Sequence, residues 1–348
     1  MTAPLFRKTI AFDDAARFSL AAPEAACDAA GFRAVVGNWR AINPSEYFAL
    51  AADGFSASEL DAAQAALIED GVFLSVEWMG AYLGRDFPMP EGGALRFTRE
   101  SLARAAVKFG WAVAYTAELA AGATDEFEVD FSATPAPATP LEHLFIAMGL
   151  QSRGVAFVAL ALRMPGSFEA AVDLESGARE FARAVADHAA VARLAGKYRL
   201  SFSRAEEKFA ALPAMARECG DLLHVKTSGL AWMAGLRAIA RAEPALFREL
   251  LRAAQERFAF DKVGAAISTN EEDVRFLPEV SDTELERTFL EDPRGRQMLH
   301  VAARSLSDHP PLRAALAAHA ILHRELFAES VARHLAALRA LPSPEAAT

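Results

Sequence analysis

The run HVKTS, residues 224–228, holds the most suggestive polar side chains of this chain. Side chains alternate in direction along a strand, so His224, Lys226 and Ser228 would share one face, with Thr227 on the other. A lysine on the inward face of a buried strand is costly unless it is paired or used in chemistry. Such an amine could hold an anionic substrate or form a Schiff base with a ketone. We therefore predict a substrate-facing role for Lys226.

Other polar residues follow strand-like runs elsewhere in the chain. By the same alternation, Asp130 and Ser132 share one face. A single acidic or basic residue at a strand end is as often a cap or a loop ion pair as a functional group. The candidates at strand ends are Glu77, Asp130, Ser132, Arg163, residues 203–208, His224, Lys226, Thr227, residues 268–270 and His300.

Three further histidines stand at helical positions. His319 and His323 have the i, i+4 spacing that can bind a metal from one helix face, but no third ligand accompanies them. We interpret them as partly exposed helix residues. His143 follows Glu142 at a predicted helix start, where a neutral histidine near the cap is the simpler interpretation.

The elements that must position these residues alternate along the chain. Short β-branched or aromatic runs alternate with longer alanine-rich segments of helical spacing. The strand-like runs are residues 72–75, 127–132, 156–162, 198–203, 222–227, 263–268 and 298–302, with a possible eighth at 33–39. The predicted helices are residues 101–120, 140–151, 177–195, 229–241, 244–258 and one or two within 312–341.

This alternation predicts an α/β fold with parallel strands and right-handed crossovers. An open sheet usually carries a glycine-rich first turn, and neither GxGxxG nor GxxxxGK[ST] occurs. We therefore predict a (β/α)8 TIM-type barrel, with its site at the C-terminal ends of the strands. The expected organisation is a single domain, 1–348, with an N-terminal extension (1–50), a barrel (51–305) and a C-terminal helical segment (306–348) packed outside.

Composition limits the function classes. With 53% hydrophobic residues in 348, the chain can bury a large core, and a net charge of −10 argues against nucleic acid as partner. Cys27 and Cys219 have neither disulfide nor zinc spacing. No apolar run is long enough to span a membrane, and no signal peptide is recognisable. We expect a cytoplasmic protein with a small-molecule partner.

From Phe127 onward the chain resembles the tagaturonate epimerase family. The resemblance rests on TPLEH (139–143), HVKTSG (224–229) and GRQMLHVAA (295–303), and on their spacing. It covers roughly residues 98–301, with a weaker echo at 53–87. It implies a metal-dependent enzyme that interconverts tagaturonate and fructuronate, hence a sugar acid as partner and a divalent metal as the family's expected cofactor.

The positions that match the family pattern are Glu142, His143, Arg163, Asp173, Lys208, His224, Lys226, Thr227, Gly229, Arg237 and His300. From them, and from Glu206, which stands where the family has an aspartate, we predict catalytic roles for His224, Lys226, Glu206 and Lys208. We predict substrate-binding roles for Arg163, Asp173, Thr227 and His300.

Several expected metal-site residues are missing. Ser132 and Ala133 stand where the family has an acidic pair, and Phe202 and Ala266 stand where it has histidines. Glu206 replaces an aspartate, and the histidine expected near residue 53 is absent. We therefore predict no metal ligand set and no tightly bound divalent ion at the barrel mouth.

The chemistry implied by the resemblance is inversion at C4, which carries a hydroxyl β to the C2 ketone. Retro-aldol cleavage of C3–C4, rotation of the aldehyde and re-addition would invert this centre. One hypothesis is an epimerase with altered or lost activity; the alternative is a non-catalytic relative that binds a sugar acid through Arg163, Lys208 and Lys226. Either way, we expect these three residues to meet His224 and Asp173 in one cavity.

Overall fold

The computed structural model describes residues 7–21, 23–37, 39–72, 79–89, 92–174, 177–196, 198–274, 278 and 280–339. Its centre is a seven-stranded sheet in which every neighbouring pair is parallel. The strands are β1 (Thr9–Phe12), β2 (Arg33–Val36), β3 (Arg40–Ile42), β6 (Phe127–Phe131), β7 (Ala159–Leu162), β8 (Arg199–Phe202) and β9 (Leu223–Thr227). Their order is β2-β1-β9-β8-β7-β6-β3. A small antiparallel ribbon, β4 (Phe87–Pro88) and β5 (Ala94–Leu95), lies apart from it.

The sheet curves until its two edges meet one stretch of chain. The edge strands β2 and β3 are consecutive parts of that stretch, joined by residues 37–39. Val36 pairs with Phe12 of β1, while Arg40 pairs with Phe127 of β6. Side chains on the concave face can therefore touch across the interior, as the residues of a barrel do.

Five of the eight predicted strand runs contain strands of the sheet. The runs at 127–132, 156–162, 198–203 and 222–227 contain β6 to β9, and the run at 33–39 contains β2. The prediction for 298–302 is wrong because these residues lie inside a helix, and 263–268 has no regular structure. The run at 72–75 lies outside the described residues after Val72. The main sheet has seven strands within the described residues, so an eight-stranded barrel is not confirmed.

The N-terminal segment is part of the sheet, and our expectation that it packs outside is wrong. Strand β1 lies between β2 and β9, and its four residues are all buried. We missed it because TIAF is only four residues long and is followed directly by two aspartates. Burial on both faces, rather than alternation, is typical of a central parallel strand.

The helices surround this sheet and match most of the predicted ones. They are α1 (Glu24–Ala29), α2 (Ala57–Glu69), α3 (Arg99–Ala120), α4 (Pro140–Ser152), α5 (Ala178–Leu194), α6 (Leu212–Cys219), α7 (Leu230–Ala242), α8 (Pro244–Asp261), α9 (Pro293–Leu306), α10 (Pro310–Ala318) and α11 (Ala320–Ala337). Thr98 and Thr139 cap α3 and α4 through capping boxes. None of the helices within the described ranges is long and apolar enough to cross a membrane.

Candidate functional site

An ion pair lies on the concave face of the sheet. Lys226 Nζ donates a hydrogen bond to Glu128 Oε1, and Ser201 Oγ donates one to Glu128 Oε2. Strands β9 and β6 are separated by two other strands, so this contact crosses the interior. Ala11 lies beside Lys226, and Ala161 lies beside Ser201. These small neighbours leave room for the lysine side chain.

His224 shares this face but is a buried, neutral residue. Its Nδ1 lies 2.7 Å from Thr9 Oγ1, and its ring stacks on Trp39 with the centroids 4.2 Å apart. Burial holds the pKa of His224 well below its ordinary value, and the nearby Lys226 charge acts in the same direction. A cationic role for His224 near neutral pH is therefore excluded by its surroundings.

Three cavities adjoin one another at the C-terminal ends of the strands. The arginine cavity, about 470 Å³, is lined by Ser132, Arg163, Phe168, Ser201, Ser203 and Arg204. The wide cavity, about 850 Å³, shares Arg204 with it. The narrow cavity, about 470 Å³, contains Glu206 and shares Ser228, Gly229 and His300 with the wide one.

Glu206 is a buried carboxyl group at this end of the sheet. It is 2% exposed, and burial raises its pKa to about 7. The N–H of Ser228, 3.1 Å from Glu206 Oε2, and the charge of Lys208 act in the opposite direction. His300, which also lines the narrow cavity, has its pKa lowered to about 4, mainly by burial. An acid and a base with shifted pKa values in one cavity are typical of functional sites.

The loops that carry these groups are conformationally strained. Arg204, Glu207 and Ala171 have φ angles of 54°, 61° and 60°. Non-glycine residues adopt such angles rarely and at a cost of about 1–3 kcal/mol each. Two of the three belong to the loop after β8 that presents Glu206, and Ala171 lines the narrow cavity beside it.

The five residues expected to converge do not line one cavity, so that expectation is wrong. Arg163 lines the arginine cavity, while His224 and Lys226 lie in the interior. Lys208 is fully buried and donates to the carbonyl oxygens of residues 169 and 172. Asp173 accepts a hydrogen bond from the N–H of Ala210 and lines a separate cavity of about 1140 Å³. Lys208 and Asp173 therefore both hold loop backbone in place. The alternation of side chains along a strand cannot predict this role.

The remaining predicted residues have mixed positions. Thr227 Oγ1 donates to Ala11 O at 2.8 Å, so its hydroxyl is engaged with the neighbouring strand. His319 contacts Glu243, and His323 contacts Ala231 O, so they do not face one ion. His323 is buried, and our expectation of partial exposure is wrong for it. Glu77 lies outside the described residues.

Two functional candidates were missed. Glu128 stands two residues before Asp130, on the same face. It lies near the start of β6, whereas the predicted site residues were those at strand ends. Asp14 lines the wide cavity and accepts hydrogen bonds from the N–H groups of Ala231 and Trp232 at the start of α7. Burial raises the pKa of Asp14. Its position became interpretable only with β1 in the sheet.

The residues present do not fit the divalent metal that the resemblance implies. Within the described ranges, no three histidine, cysteine, aspartate or glutamate side chains are placed to hold one ion. Ser132 Oγ donates to Asp130, and Ala266 belongs to an irregular segment. Phe202 contacts the ring of Phe181 and also lines the arginine cavity, and our interpretation that it replaces a metal ligand of the family stays a prediction. The expectation that no ion binds tightly stays a prediction.

Comparisons with known proteins place the chain in a family. A sequence model of the tagaturonate epimerase family matches residues 39–338. The tagaturonate/fructuronate epimerase of Thermotoga maritima is 33% identical over 259 residues, 73% of this chain and 53% of that protein. The chain thus spans about half the length of this relative.

Solved structures show the same fold. A glycerol-complexed crystal structure of the fructuronate-tagaturonate epimerase of Cohnella laeviribosi matches with a TM-score of 0.85 at 21% identity, covering 97% of this chain and 82% of that one. The native structure of that enzyme matches with a TM-score of 0.79 at 20% identity, covering 97% of this chain and 82% of its own. The sequence match over most of the chain decides membership: the chain belongs to the tagaturonate epimerase family.

Proposed function

We propose that the chain binds a ketouronate at the C-terminal end of the sheet and epimerises it by retro-aldol chemistry. The observation that carries this proposal is the Lys226–Glu128 pair, which lies directly behind Ser201, a residue of the arginine cavity. The pair itself lies in the interior rather than in the cavity lining, and a cation next to a carboxylate supplies the charge stabilisation and the base that the reaction needs. The name of the Thermotoga relative, and the glycerol in the Cohnella structure, support a polyhydroxylated substrate.

The arginine cavity suits the substrate carboxylate. Arg163 and Arg204 both line it, and a guanidinium matches a carboxylate through paired hydrogen bonds. This local positive charge stands against a chain of net charge −10. With the carboxylate at the arginines, the ketone and hydroxyl carbons would extend towards Ser201 and the ion pair.

The proposed reaction breaks and re-forms one carbon–carbon bond. Glu128 accepts the proton of the C4 hydroxyl, and C4 becomes an aldehyde carbon as the C3–C4 bond breaks. The electron pair of that bond forms a C2=C3 double bond, and the C2 carbonyl oxygen takes up the negative charge. The Lys226 ammonium stabilises the resulting enediolate oxygen. The aldehyde at C4 turns its opposite face to C3, the bond re-forms, and Glu128 returns the proton. No oxidant or reductant is consumed. A Schiff base between Lys226 and C2 would serve the same electron movement.

We include in the proposal that activity on tagaturonate is altered or lost, because the described residues offer no family-type metal set. The alternative, a non-catalytic relative that binds a sugar acid, is favoured by one observation: Lys226 and Glu128 satisfy each other in the closed pair. Cytoplasmic location and the barrel architecture stay part of the proposal.

The test is incubation of the purified chain with tagaturonate, followed by NMR, with and without added manganese or zinc. Conversion to fructuronate that is lost in Lys226→Ala supports the epimerase. Borohydride reduction in the presence of substrate tests the Schiff base, since it would add a stable mass to Lys226 only if an imine forms. Lys226→Arg should abolish this labelling, because a guanidinium is not a usable nucleophile.

Binding of tagaturonate without turnover would support the non-catalytic alternative. Absence of both binding and turnover, in a folded and monodisperse sample, would contradict both candidates. Metal content of the same sample tests the separate expectation that no divalent ion is tightly bound.

A further inference from the structure

The narrow cavity has a feature that the retro-aldol proposal does not use. Three buried side-chain atoms of its lining have no hydrogen-bond partner within the described part of the chain: Glu206 Oε1, His300 Nδ1 and Arg296 Nε. Leaving a buried polar atom without a partner costs about 1–3 kcal/mol. Three such atoms in the lining of one cavity point to a missing polar partner, which is either ordered water or a ligand.

The absence of a side chain at Gly229 lets the His300 ring pack against the backbone in the lining of this cavity. Gly229 has a φ of 84°, and a Cβ built there would lie 2.8 Å from the His300 ring. The ring thus occupies the space that any other residue at position 229 would need. The strained Glu207 and Ala171 also line the cavity, so backbone strain and unmet hydrogen bonds occur together. Strain of this kind is concentrated at binding sites.

The chemistry of the three atoms restricts the ligand class. Arg296 Nε can only donate a hydrogen bond, whereas an ionised Glu206 can only accept one. Three arginines and two glutamates line the cavity, and Arg296 is paired with Glu207, so neither a lone cation nor a lone anion would meet charges of only the opposite sign. A hydroxyl group both donates and accepts, so neighbouring hydroxyl groups on one molecule can satisfy all three atoms.

We propose that the narrow cavity is a binding site for the hydroxyl groups of an uncharged polyol, whose remaining length lies in the wide cavity. The two cavities share Ser228, Gly229 and His300, and the wide one adds about 850 Å³ of space. This site is independent of the ketouronate proposal, because it requires neither a carboxylate nor a ketone. Arg163, Glu128 and Lys226 are not among the residues that line it.

The test uses ribitol and isothermal titration calorimetry. Wild-type protein should bind ribitol saturably. Glu206→Leu, which removes both oxygens, should weaken binding about tenfold or more, since hydrogen bonds to charged groups carry that much affinity. Glu206→Gln retains an oxygen and a donor, and should weaken binding less. Glu118→Leu, an exposed change on α3, is the matched control and should bind as the wild type does.

A crystal structure of the wild-type protein soaked in ribitol decides the matter even where a variant does not fold. Ribitol hydroxyl oxygens within hydrogen-bond distance of Glu206 and His300 would support the site. Ordered water alone in the narrow cavity, no saturable binding, or binding that is unchanged in Glu206→Leu would each overturn it.

Discussion

For single residues, alternation along a strand predicts the face of a side chain but not its partner. The alternation in HVKTS placed His224 and Lys226 on one face; Lys226 contacts Glu128 across the interior, whereas His224 contacts Thr9 on the neighbouring strand β1. The partner of Lys226 could not be predicted in the same way. Glu128 is 98 residues earlier in the chain, and which strands face each other depends on sheet order and curvature. Parity gives the direction of a side chain, whereas its partner is a property of the whole sheet.

The Lys226–Glu128 pair makes a stability prediction. Lys226→Met should lower the free energy of unfolding by about 3–5 kcal/mol, because it leaves Glu128, 2% exposed at its side chain, as an unpaired buried charge. Lys226→Met/Glu128→Gln should recover much of this loss. Urea unfolding measures both. The exposed Arg96–Asp86 pair supplies the control, and Arg96→Met should cost less than about 1 kcal/mol.

A chain of buried aromatic groups makes a prediction about pH. Tyr198 Oη lies 2.5 Å from His143 Nε2, His143 Nδ1 lies 3.0 Å from His188 Nδ1, and His188 Nε2 donates to Ala138 O at 3.1 Å. With both histidines neutral, Tyr198 donates to His143 and His143 donates to His188. Burial lowers the pKa of His188 to about 4 and that of His143 well below its ordinary value.

The sign of the effect follows from these shifts. The unfolded chain takes up protons on histidine below about pH 6.5, while the folded chain resists until about pH 4, so stability should fall on acidification through this window. The maximum slope is about 1.4 kcal/mol per pH unit for each such histidine. Glu206 acts the opposite way, because its pKa is raised to about 7. Urea unfolding between pH 7 and 5 should show the loss most clearly in Glu206→Gln; a flat profile there would contradict it.

At the scale of elements, helix starts can be predicted from neighbouring residues. Whether a short apolar run forms a strand or the buried side of a helix cannot. Thr98 and Thr139 cap the helices that follow them because capping depends on a few neighbouring residues. The run MLHVA reads as a strand by composition, yet Asp292 and Pro293 start a helix before it, and Met298, Val301 and Ala302 lie on its buried side. A short apolar run fits a strand or a buried helix equally well.

Gly295 in α9 gives a sharp test of packing between elements. A Cβ there would lie 2.5 Å from Phe289 Cα and 2.6 Å from Thr288 O, both backbone atoms of the π-helical turn Arg287–Glu291. Gly295→Ala should therefore destabilise the protein by about 2–3 kcal/mol, despite the better helix propensity of alanine. Thermal or urea unfolding measures it. Gly54→Ala, where nothing lies within 4 Å, should stay within about 0.5 kcal/mol of wild type.

The whole molecule depends on long-range strand pairing that no local pattern records. Strand β1 lies between β2 and β9, so it connects the edge strand β2 to the rest of the sheet. A chain that begins at Asp13 should fail to fold, because two neighbouring strands lose their hydrogen-bond partners. A chain that begins at Arg7 retains β1 and is the control. Circular dichroism and gel filtration distinguish the outcomes, and a compact, helical product from the shorter chain would contradict the central role of β1.

The Lys226–Glu128 ion pair is the central part of the proposed sugar-acid site. The most direct measurement is calorimetric binding of tagaturonate to the wild type and to Lys226→Met/Glu128→Gln, which removes both charges without leaving either one unpaired. We predict saturable binding by the wild type and a loss of about tenfold or more in the double variant, with Lys262→Ala unchanged. Equal affinity in the wild type and a folded double variant would contradict the account.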